Sequence, residues 1–232
     1  PDWTDEQIAQ AKSECEALLA GRAVDYSELD PIREGRCGAP YPIKVSSIGK
    51  DGPLQISPPA MLTCAMTATL SRWLEESLQP LADKYLGSPI ARLRNVSSYA
   101  CRNRYNSPGK RISEHALANA LDIAALVTKD GKTVSVLSHW RAKKAGGPVK
   151  AETPPSDPAK PDAAQSSATD PTATHEKLHR DEPLTPEALF LWALHTGACD
   201  LFGTVLGPEA NQSHRDHFHF DMKKRKYGNY CE

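Results

Sequence analysis

The segment SHRDHFHFD, residues 213–221, places three histidines and two aspartates in nine residues of a chain that has eight histidines in all. In a β-strand, successive side chains lie on opposite faces. His217, His219 and Asp221 are therefore predicted to share one face of a strand, and the two phenylalanines between them to lie in a core on the other face. A polar strand face also occurs where nothing binds, so the segment alone leaves the metal-site interpretation open.

A second cluster, SEHALANALD at residues 113–122, supplies His115 and Asp122, separated by six residues. Imidazole and carboxylate groups are both good zinc ligands. We predict that ALDIAALV is a strand, with Asp122 at its start and His115 in the preceding loop. Both side chains could then converge on the strand that holds His219. Three protein ligands and a water complete the coordination of a catalytic zinc site, whereas a structural site is closed by four protein ligands.

Composition limits the classes of protein that fit the chain. It has 232 residues, 39% of them apolar and 25% charged, and a net charge of −1. This length can bury one good core, and we predict one domain. A net charge near zero creates no strong field for nucleic acid or an anionic membrane. No segment approaches the roughly 20 apolar residues of a membrane span, so we expect neither a nucleic-acid partner nor a membrane span.

Six cysteines occur in the chain, and none forms a C-x-x-C pair, which disfavours zinc-finger and thioredoxin interpretations. Their even number favours three disulfides in an oxidising compartment; the alternative is buried free thiols in a cytosolic protein. The chain begins PDWTDEQ without a Met, and we expect a removed secretory signal and a periplasmic or secreted protein. Sequence order suggests the pairs Cys15–Cys37, Cys64–Cys101 and Cys199–Cys231.

Two helices are predicted in the N-terminal half. Thr4 and Gln7 form a capping box for a helix over about residues 4–20. Residues 21–52 are rich in turn formers and are predicted to be irregular. Ser57 and Pro58 would start a second, long helix, whose apolar face includes Met61, Leu62, Ala65, Met66, Leu70, Trp73 and Leu74.

Strand signals follow that helix. ARLRNVSSYACR, residues 91–102, is predicted to be a strand. ALDIAALV and KTVSVL flank Lys129-Asp130-Gly131, a turn signal that favours an antiparallel hairpin. The order of elements indicates the α+β class, with a small antiparallel sheet that bears the zinc site, flanked by helices and stapled by disulfides.

Residues 143–183 differ in composition from the rest of the chain. They are rich in Pro, Ala, Ser, Asp and Lys and contain almost no large apolar residues. We predict a disordered or loosely ordered insertion in which His175 and His179 are solvated. After it, Thr185 and Pro186 begin a helix, and Leu189, Trp192 and Ala193 are predicted to face the core.

The spacing H-x(6)-D followed by H-x-H resembles the zinc peptidases that include lysostaphin-type enzymes, D-Ala-D-Ala peptidases and the hedgehog domain. The whole chain is similar to the bacterial extensin-like C-terminal domain family, through CGAPYPI, SSYACR, SEHALANALDI, ACDLF, TVLGPE and HRDHFHFD. The resemblance covers most of residues 15–142 and 184–232. It implies that His115, Asp122 and His219 bind zinc. The related motif often has Gly at the position of Ala118, a difference that we expect to alter a backbone turn and to leave the ligands in place.

Hydrolysis at such a site also needs a base. His217 is favoured, because it shares the predicted strand face with His219 and because related H-x-H enzymes use their first histidine in this way. Asp216 is the alternative, since some dipeptidase relatives place a carboxylate three residues before the last ligand. In a regular strand Asp216 would point away from the site, so this role would require a bulge.

Arg102 is the candidate for stabilising an oxyanion or binding a peptide carboxylate, and D-Ala-D-Ala relatives carry an arginine in a similar Ser-x-Tyr-Arg context. A surface ion pair is the other interpretation, and Arg104 is a weaker candidate. Asp221 either orients a histidine or is solvated. We expect Ser113 to hydrogen-bond the loop around His115. No site role is expected for Glu114, a solvated loop charge, or for His139, His195 and His214.

The function that these features and the resemblance imply is a zinc-dependent peptidase acting on peptidoglycan stem peptides. An endopeptidase is favoured over a carboxypeptidase, because the sequence offers no carboxylate clamp beyond Arg102. The alternatives are a non-catalytic zinc module that binds peptidoglycan or a protein partner, and a structural envelope protein without a metal.

Overall fold

The computed structural model describes residues 2–50, 52–141 and 183–232. The predicted insertion, with His175 and His179, lies outside these ranges except for Pro183. The helices are α1 (Asp5–Leu19), α2 (Cys64–Trp73), α3 (Gln79–Leu86), α4 (Val136–His139) and α5 (Pro186–Ala198), with a π-helical turn at Leu74–Leu78 and 3-10 turns at Arg104–Asn106, Glu114–Leu117 and Gln212–His214. The strands are β1 (Val24–Glu28), β2 (Ile32–Glu34), β3 (Cys37–Ala39), β4 (Ile43–Ile48), β5 (Leu54–Leu62), β6 (Ile90–Ser97), β7 (Ala120–Thr128), β8 (Thr133–Ser135), β9 (Thr204–Leu206), β10 (Phe218–Asp221) and β11 (Tyr230–Cys231).

One nine-stranded sheet dominates the described part of the chain. Its order is β1-β4-β5-β6-β7-β10-β9-β11, and β8 also pairs with β7. Most neighbours are antiparallel, but β5–β6 and β9–β11 are parallel. A mixed helix-and-sheet architecture is therefore confirmed, whereas the prediction of a small antiparallel sheet was wrong, because the sheet has nine strands and two parallel pairs.

The sheet is larger than predicted because residues 21–52 are not irregular. They form β1 and β4, which join the large sheet, and β2 and β3, which pair with each other in a separate two-stranded sheet. Strand β4 alternates between buried Ile43 and Val45 and exposed Lys44. The other three strands have five or fewer residues, and β1 and β2 bury no residue fully. Such short strands carry little period-two signal, so the turn residues between them dominated the interpretation.

The long helix begins later than predicted. Ser57 and Pro58 lie within β5, and the helix starts at Cys64 with Thr63 as its N-cap. The two prolines at 58 and 59 fall where the ladder to β4 is interrupted, between the paired residues Gln55 and Ala60. Proline cannot donate a ladder hydrogen bond, and an interruption of this kind tolerates it.

The helices pack on one face of the sheet. Phe218 and Phe220 of β10 are fully buried there, as predicted. The ring of Phe220 lies edge-on to Trp73 at 5.3 Å and stacks on Phe202 at 4.7 Å. On α5 the predicted phase was wrong: Trp192 is 40% exposed and stacks on Trp140. The α5 residues in the core are Ala188, Phe190, Leu191, Leu194 and Ala198.

Among the described residues, no helix is long and apolar enough to cross a membrane.

Three disulfides are present, as predicted, but two of the suggested pairs were wrong. The pairs are Cys15–Cys64, Cys37–Cys101 and Cys199–Cys231. The first joins α1 to the start of α2, and the second joins β3 to the segment that precedes His115. Sequence order failed because the strands between these cysteines place Cys64 beside Cys15 and Cys101 beside Cys37.

We predict that the double substitution Cys15→Ala/Cys64→Ala lowers the free energy of unfolding by about 2–4 kcal/mol, because it releases a cross-link that spans 49 residues. Urea denaturation measures the change. Peptide mapping without reductant is the companion experiment, and a peptide linking Cys15 to Cys37 would contradict the structure.

Candidate metal centre

The register of three neighbouring strands brings the predicted residues together. His219 on β10 lies directly opposite Asp122 on β7. On the other side of β7, Ser97 at the end of β6 lies opposite Asp122. Side chains directly opposite each other on one sheet face have Cβ atoms roughly 5 Å apart. Two ligand candidates that are 97 residues apart in sequence are therefore neighbours because of sheet pairing.

His115 reaches the same place from the 3-10 turn at Glu114–Leu117. The turn ends at Ala118, which adopts the left-handed region with φ 52° and ψ 29°. A glycine would adopt this conformation without a steric penalty, and here the alanine makes the same turn. With this turn, His115 lies within the cluster.

The three side chains form a buried group with short distances between them. His115 Nε2 lies 3.1 Å from Asp122 Oδ2 and 3.2 Å from His219 Nδ1, and His219 Nδ1 lies 2.9 Å from Asp122 Oδ1. The residues are 1%, 5% and 9% exposed for His115, Asp122 and His219. One donor atom from each lies within 4.8 Å of the others, so the group could hold a metal ion.

The outer nitrogen of each imidazole is engaged by an acceptor. His115 Nδ1 donates to the Ser98 carbonyl at 2.6 Å, and His219 Nε2 lies 3.2 Å from Asp221 Oδ2. With protons on these outer atoms, the inner nitrogens that face Asp122 carry either a lone pair for a metal ion or a further proton. Such outer partners are typical of histidines that bind metals. Two imidazoles and one carboxylate with this orientation fit a divalent cation. Asp221 is buried and contacts His219, so of its two predicted states the orienting one is observed.

The charges around the cluster favour a cation. Burial alone would lower the pKa of the His219 imidazole, but hydrogen bonds to Asp122 and Asp221 outweigh burial and raise this pKa to about 9. Burial would raise the pKa of Asp122, yet hydrogen bonds from His115 and His219 hold it far below its usual range. The site therefore stabilises a positive charge between these groups, either a proton on His219 Nδ1 or a metal cation in its place.

The loop that carries His115 is fastened to the strand that carries His219. Glu114 accepts hydrogen bonds from Asn119 at 2.9 Å and from Lys223 at 3.2 Å. The Asn119 carbonyl also accepts from the backbone of Met222. The Glu114 side chain is 11% exposed, so the prediction that it is a solvated loop charge was wrong. Its role depends on Lys223, 109 residues away, a contact that the local sequence does not reveal.

His217 lies at the edge of the cluster, with Nε2 3.8 Å from Asp122 Oδ1. Its Nδ1 is 2.8 Å from Asp216 Oδ1. The Asp216 side chain is 51% exposed and contacts the outer side of His217. The structure thus brings His217 to the site face, and Asp216 is placed to orient its ring.

His214, expected to have no site role, is buried beside the cluster. Its ring centre is 5.3 Å from that of His217 and 5.7 Å from that of His219. Nδ1 donates to Asn211 Oδ1 at 2.9 Å, which leaves Nε2 as an acceptor. Burial, followed by the nearby His219 and His217, lowers the pKa of His214 to about 4. The density of histidines in residues 214–219 was a signal for this residue.

The other two histidines within the described ranges lie away from the cluster, as expected. His139 bonds to the backbone of Ser135, and His195 Nε2 lies 3.2 Å from the Glu232 carbonyl. His195 also lies near Cys199 and Cys231 in a second group of potential ligands. The disulfide between those two cysteines occupies both sulfurs.

The cluster lies in a cleft of about 370 Å³ that three arginines line: Arg102, Arg104 and Arg225. Arg102 follows Cys101, whose disulfide to Cys37 fixes that segment. Arg225, missed in the sequence, donates to the Gly203 carbonyl at 3.1 Å and to Thr204 Oγ1 at 2.7 Å. Ser113 also lines the cleft, and its backbone N–H bonds to the Arg102 carbonyl.

The sheet and the cluster define a disulfide-stapled protein of mixed helix and sheet, with a candidate metal centre in a cleft. The chain belongs to the extensin-like protein C-terminus family, whose model matches residues 13–153 and 171–232. Searches of curated proteins and of solved structures found no match.

We predict that Asp221→Asn weakens zinc binding by about 10-fold or more, because His219 loses the charged partner that orients its ring. Competition with a chromophoric chelator measures the affinity. Asp216→Asn is the matched control and should bind zinc like the wild type, since Asp216 contacts no inner nitrogen of the cluster. Equal affinity for the wild type and Asp221→Asn would contradict the orienting role.

Proposed function

We propose that the chain is a zinc-dependent peptidase that cleaves stem-peptide cross-links of peptidoglycan. The observation that carries this proposal is the buried His115–Asp122–His219 group, with His217 beside it, in a cleft lined by arginines. Three protein ligands match the number that catalytic zinc sites use. The three disulfides support an oxidising compartment, so the proposed location is the periplasm or the cell exterior.

His115 Nε2, Asp122 and His219 Nδ1 would hold the zinc ion. When bound, zinc would lower the pKa of a coordinated water and polarise a carbonyl group. Ser98 and Asp221 keep the two imidazoles in the tautomers that present lone pairs to the ion.

His217 would act as the general base. Its Nε2 faces the cluster, and its Nδ1 is held by Asp216. A carboxylate on Nδ1 keeps the proton there, so Nε2 is free to accept a proton from the attacking water and to return it to the leaving amine. This arrangement supports His217 as the base and gives Asp216 an orienting role; Asp216 as the base is the alternative.

Arg102 would stabilise the oxyanion or bind the substrate backbone. Within the described residues its guanidinium makes no side-chain hydrogen bond, whereas two donors of Arg225 already serve Gly203 and Thr204. A guanidinium fork can bind a developing oxyanion. An endopeptidase is favoured over a carboxypeptidase, because apart from Arg102 the described part of the cleft offers only Arg104 as a clamp for a terminal carboxylate.

We predict that His217→Ala retains zinc but loses about 10²–10⁴ in the rate of hydrolysis, because the ligands remain while the proton acceptor is gone. Arg102→Lys should also retain zinc and lose activity, since a point charge does not reproduce the guanidinium fork. The measurement is mass spectrometry of cross-linked and monomeric muropeptides after incubation of purified peptidoglycan with each protein.

Asp216→Asn is the control for the rival base. If it abolishes turnover while His217→Ala is nearly normal, the assignment of the base is wrong. If zinc-loaded wild type leaves every cross-link and every terminal D-Ala intact but binds peptidoglycan, the chain is the non-catalytic zinc module.

A further inference from the structure

The sheet face that bears the metal centre continues well beyond it. On β7, Asp122 lies between Leu121 and Ile123, which belong to the helix-packed core. On β6, Arg92 and Arg94 flank Leu93, another core residue. Because side chains alternate along a strand, both arginines project from the face opposite the helices, the same face as Asp122.

A second cavity, of about 620 Å³, lies on this part of the face. Its charged residues are Arg92, Arg94 and Lys129, and no acidic residue of the described chain lines it. All three are exposed, and none forms an ion pair with another described residue. Asp130, the acidic neighbour in sequence, is bound to Thr128 in the turn. We call this cavity the basic groove.

The floor and walls of the basic groove suit an extended chain. Gln55 and Ser57 of β5 pair with Arg92 and Arg94, and Val127 lies on the other side of Arg92. The two arginines are two residues apart on one strand, which is roughly 7 Å. This spacing equals that of alternate side chains in an extended peptide, so two carboxylates on such a peptide could meet one guanidinium each.

The basic groove is also close to the metal centre. Ser97 pairs with Asp122, and Arg94 pairs with Ala125. The metal centre and the basic groove are therefore three residues apart along both β6 and β7. The ladder has register shifts between Arg94 and Ser97, so these three strand residues span at most roughly 10 Å. A peptide held at the metal centre would therefore reach Arg94 with about three further extended residues.

We propose that the basic groove is a second binding site, which takes an extended peptide bearing free carboxylates through Arg92, Arg94 and Lys129. That this peptide is a continuation of the substrate held at the metal centre rests on the proposed function. The binding of the acidic peptide itself rests on the groove alone.

The test is fluorescence anisotropy of the 232-residue chain with fluorescein-labelled hexaglutamate, in the presence of a chelator so that zinc does not bind the probe. Wild type should bind hexaglutamate, should bind the hexaglutamine analogue at least tenfold more weakly, and should lose affinity as salt is added. The double substitution Arg92→Gln/Arg94→Gln should weaken hexaglutamate binding at least tenfold. Arg72→Gln is the matched control, because Arg72 is an exposed arginine on α2 that pairs with Glu76, and it should bind like wild type.

Three results would overturn the proposal: equal binding of hexaglutamine, an unchanged affinity in the double variant, or tighter binding of hexathymidylate that the same variant abolishes. The last result would assign the groove to a phosphodiester polymer. Failure of the proposed function is a separate outcome, because a protein that binds hexaglutamate through these arginines but hydrolyses no cross-link keeps the groove and loses only the peptidase. If cross-links are hydrolysed, the double variant should raise KM and leave kcat unchanged. An unchanged KM would show that the groove does not bind the substrate of the peptidase.

Discussion

The pairing of β10 with β7 is the constraint on which the site depends. His219 meets Asp122 only in the register in which Phe218 and Phe220 enter the core. A slip of one residue would turn both phenylalanines to the outer face and His219 into the core. Burial of two aromatic side chains strongly favours the observed register, so the hydrophobic core determines the geometry of the polar cluster on the opposite face.

A buried polar cluster is stable only when its groups have partners. Ser98 and Asp221 accept hydrogen bonds from the outer nitrogens of His115 and His219. Glu114 connects the loop that carries His115 to the end of β10, the strand that carries His219. The Cys37–Cys101 disulfide restrains the segment between Ser98 and Glu114, in which Cys101 lies. These contacts pre-organise the inner nitrogens and the Asp122 carboxylate, so a cation would enter a site whose ligands need little rearrangement. That property supports the proposed zinc chemistry and is compatible with hydrolysis or with binding.

The sequence predicted the elements whose signals are local. The alternation in residues 217–221 and the turn at Lys129-Asp130-Gly131 correctly indicated β10 and the β7–β8 hairpin. His115, Asp122 and His219 lie close together, as the predicted convergence required. The features that were missed depend on distant partners. The pairing of the cysteines depends on strands within residues 21–62, whose sequence patterns are weak. The anchoring role of Glu114 depends on its contact with Lys223. His214 and Arg225 line the cleft because of backbone turns that residue types alone do not specify.

Anomalous X-ray diffraction above and below the zinc absorption edge, on crystals grown with equimolar zinc, tests the central claim most directly. The account predicts one strong peak bounded by His115 Nε2, the Asp122 carboxylate and His219 Nδ1, with His217 and Arg102 facing it across the cleft. A crystal in which zinc lies elsewhere, with His219 Nδ1 still hydrogen-bonded to Asp122, would contradict the account.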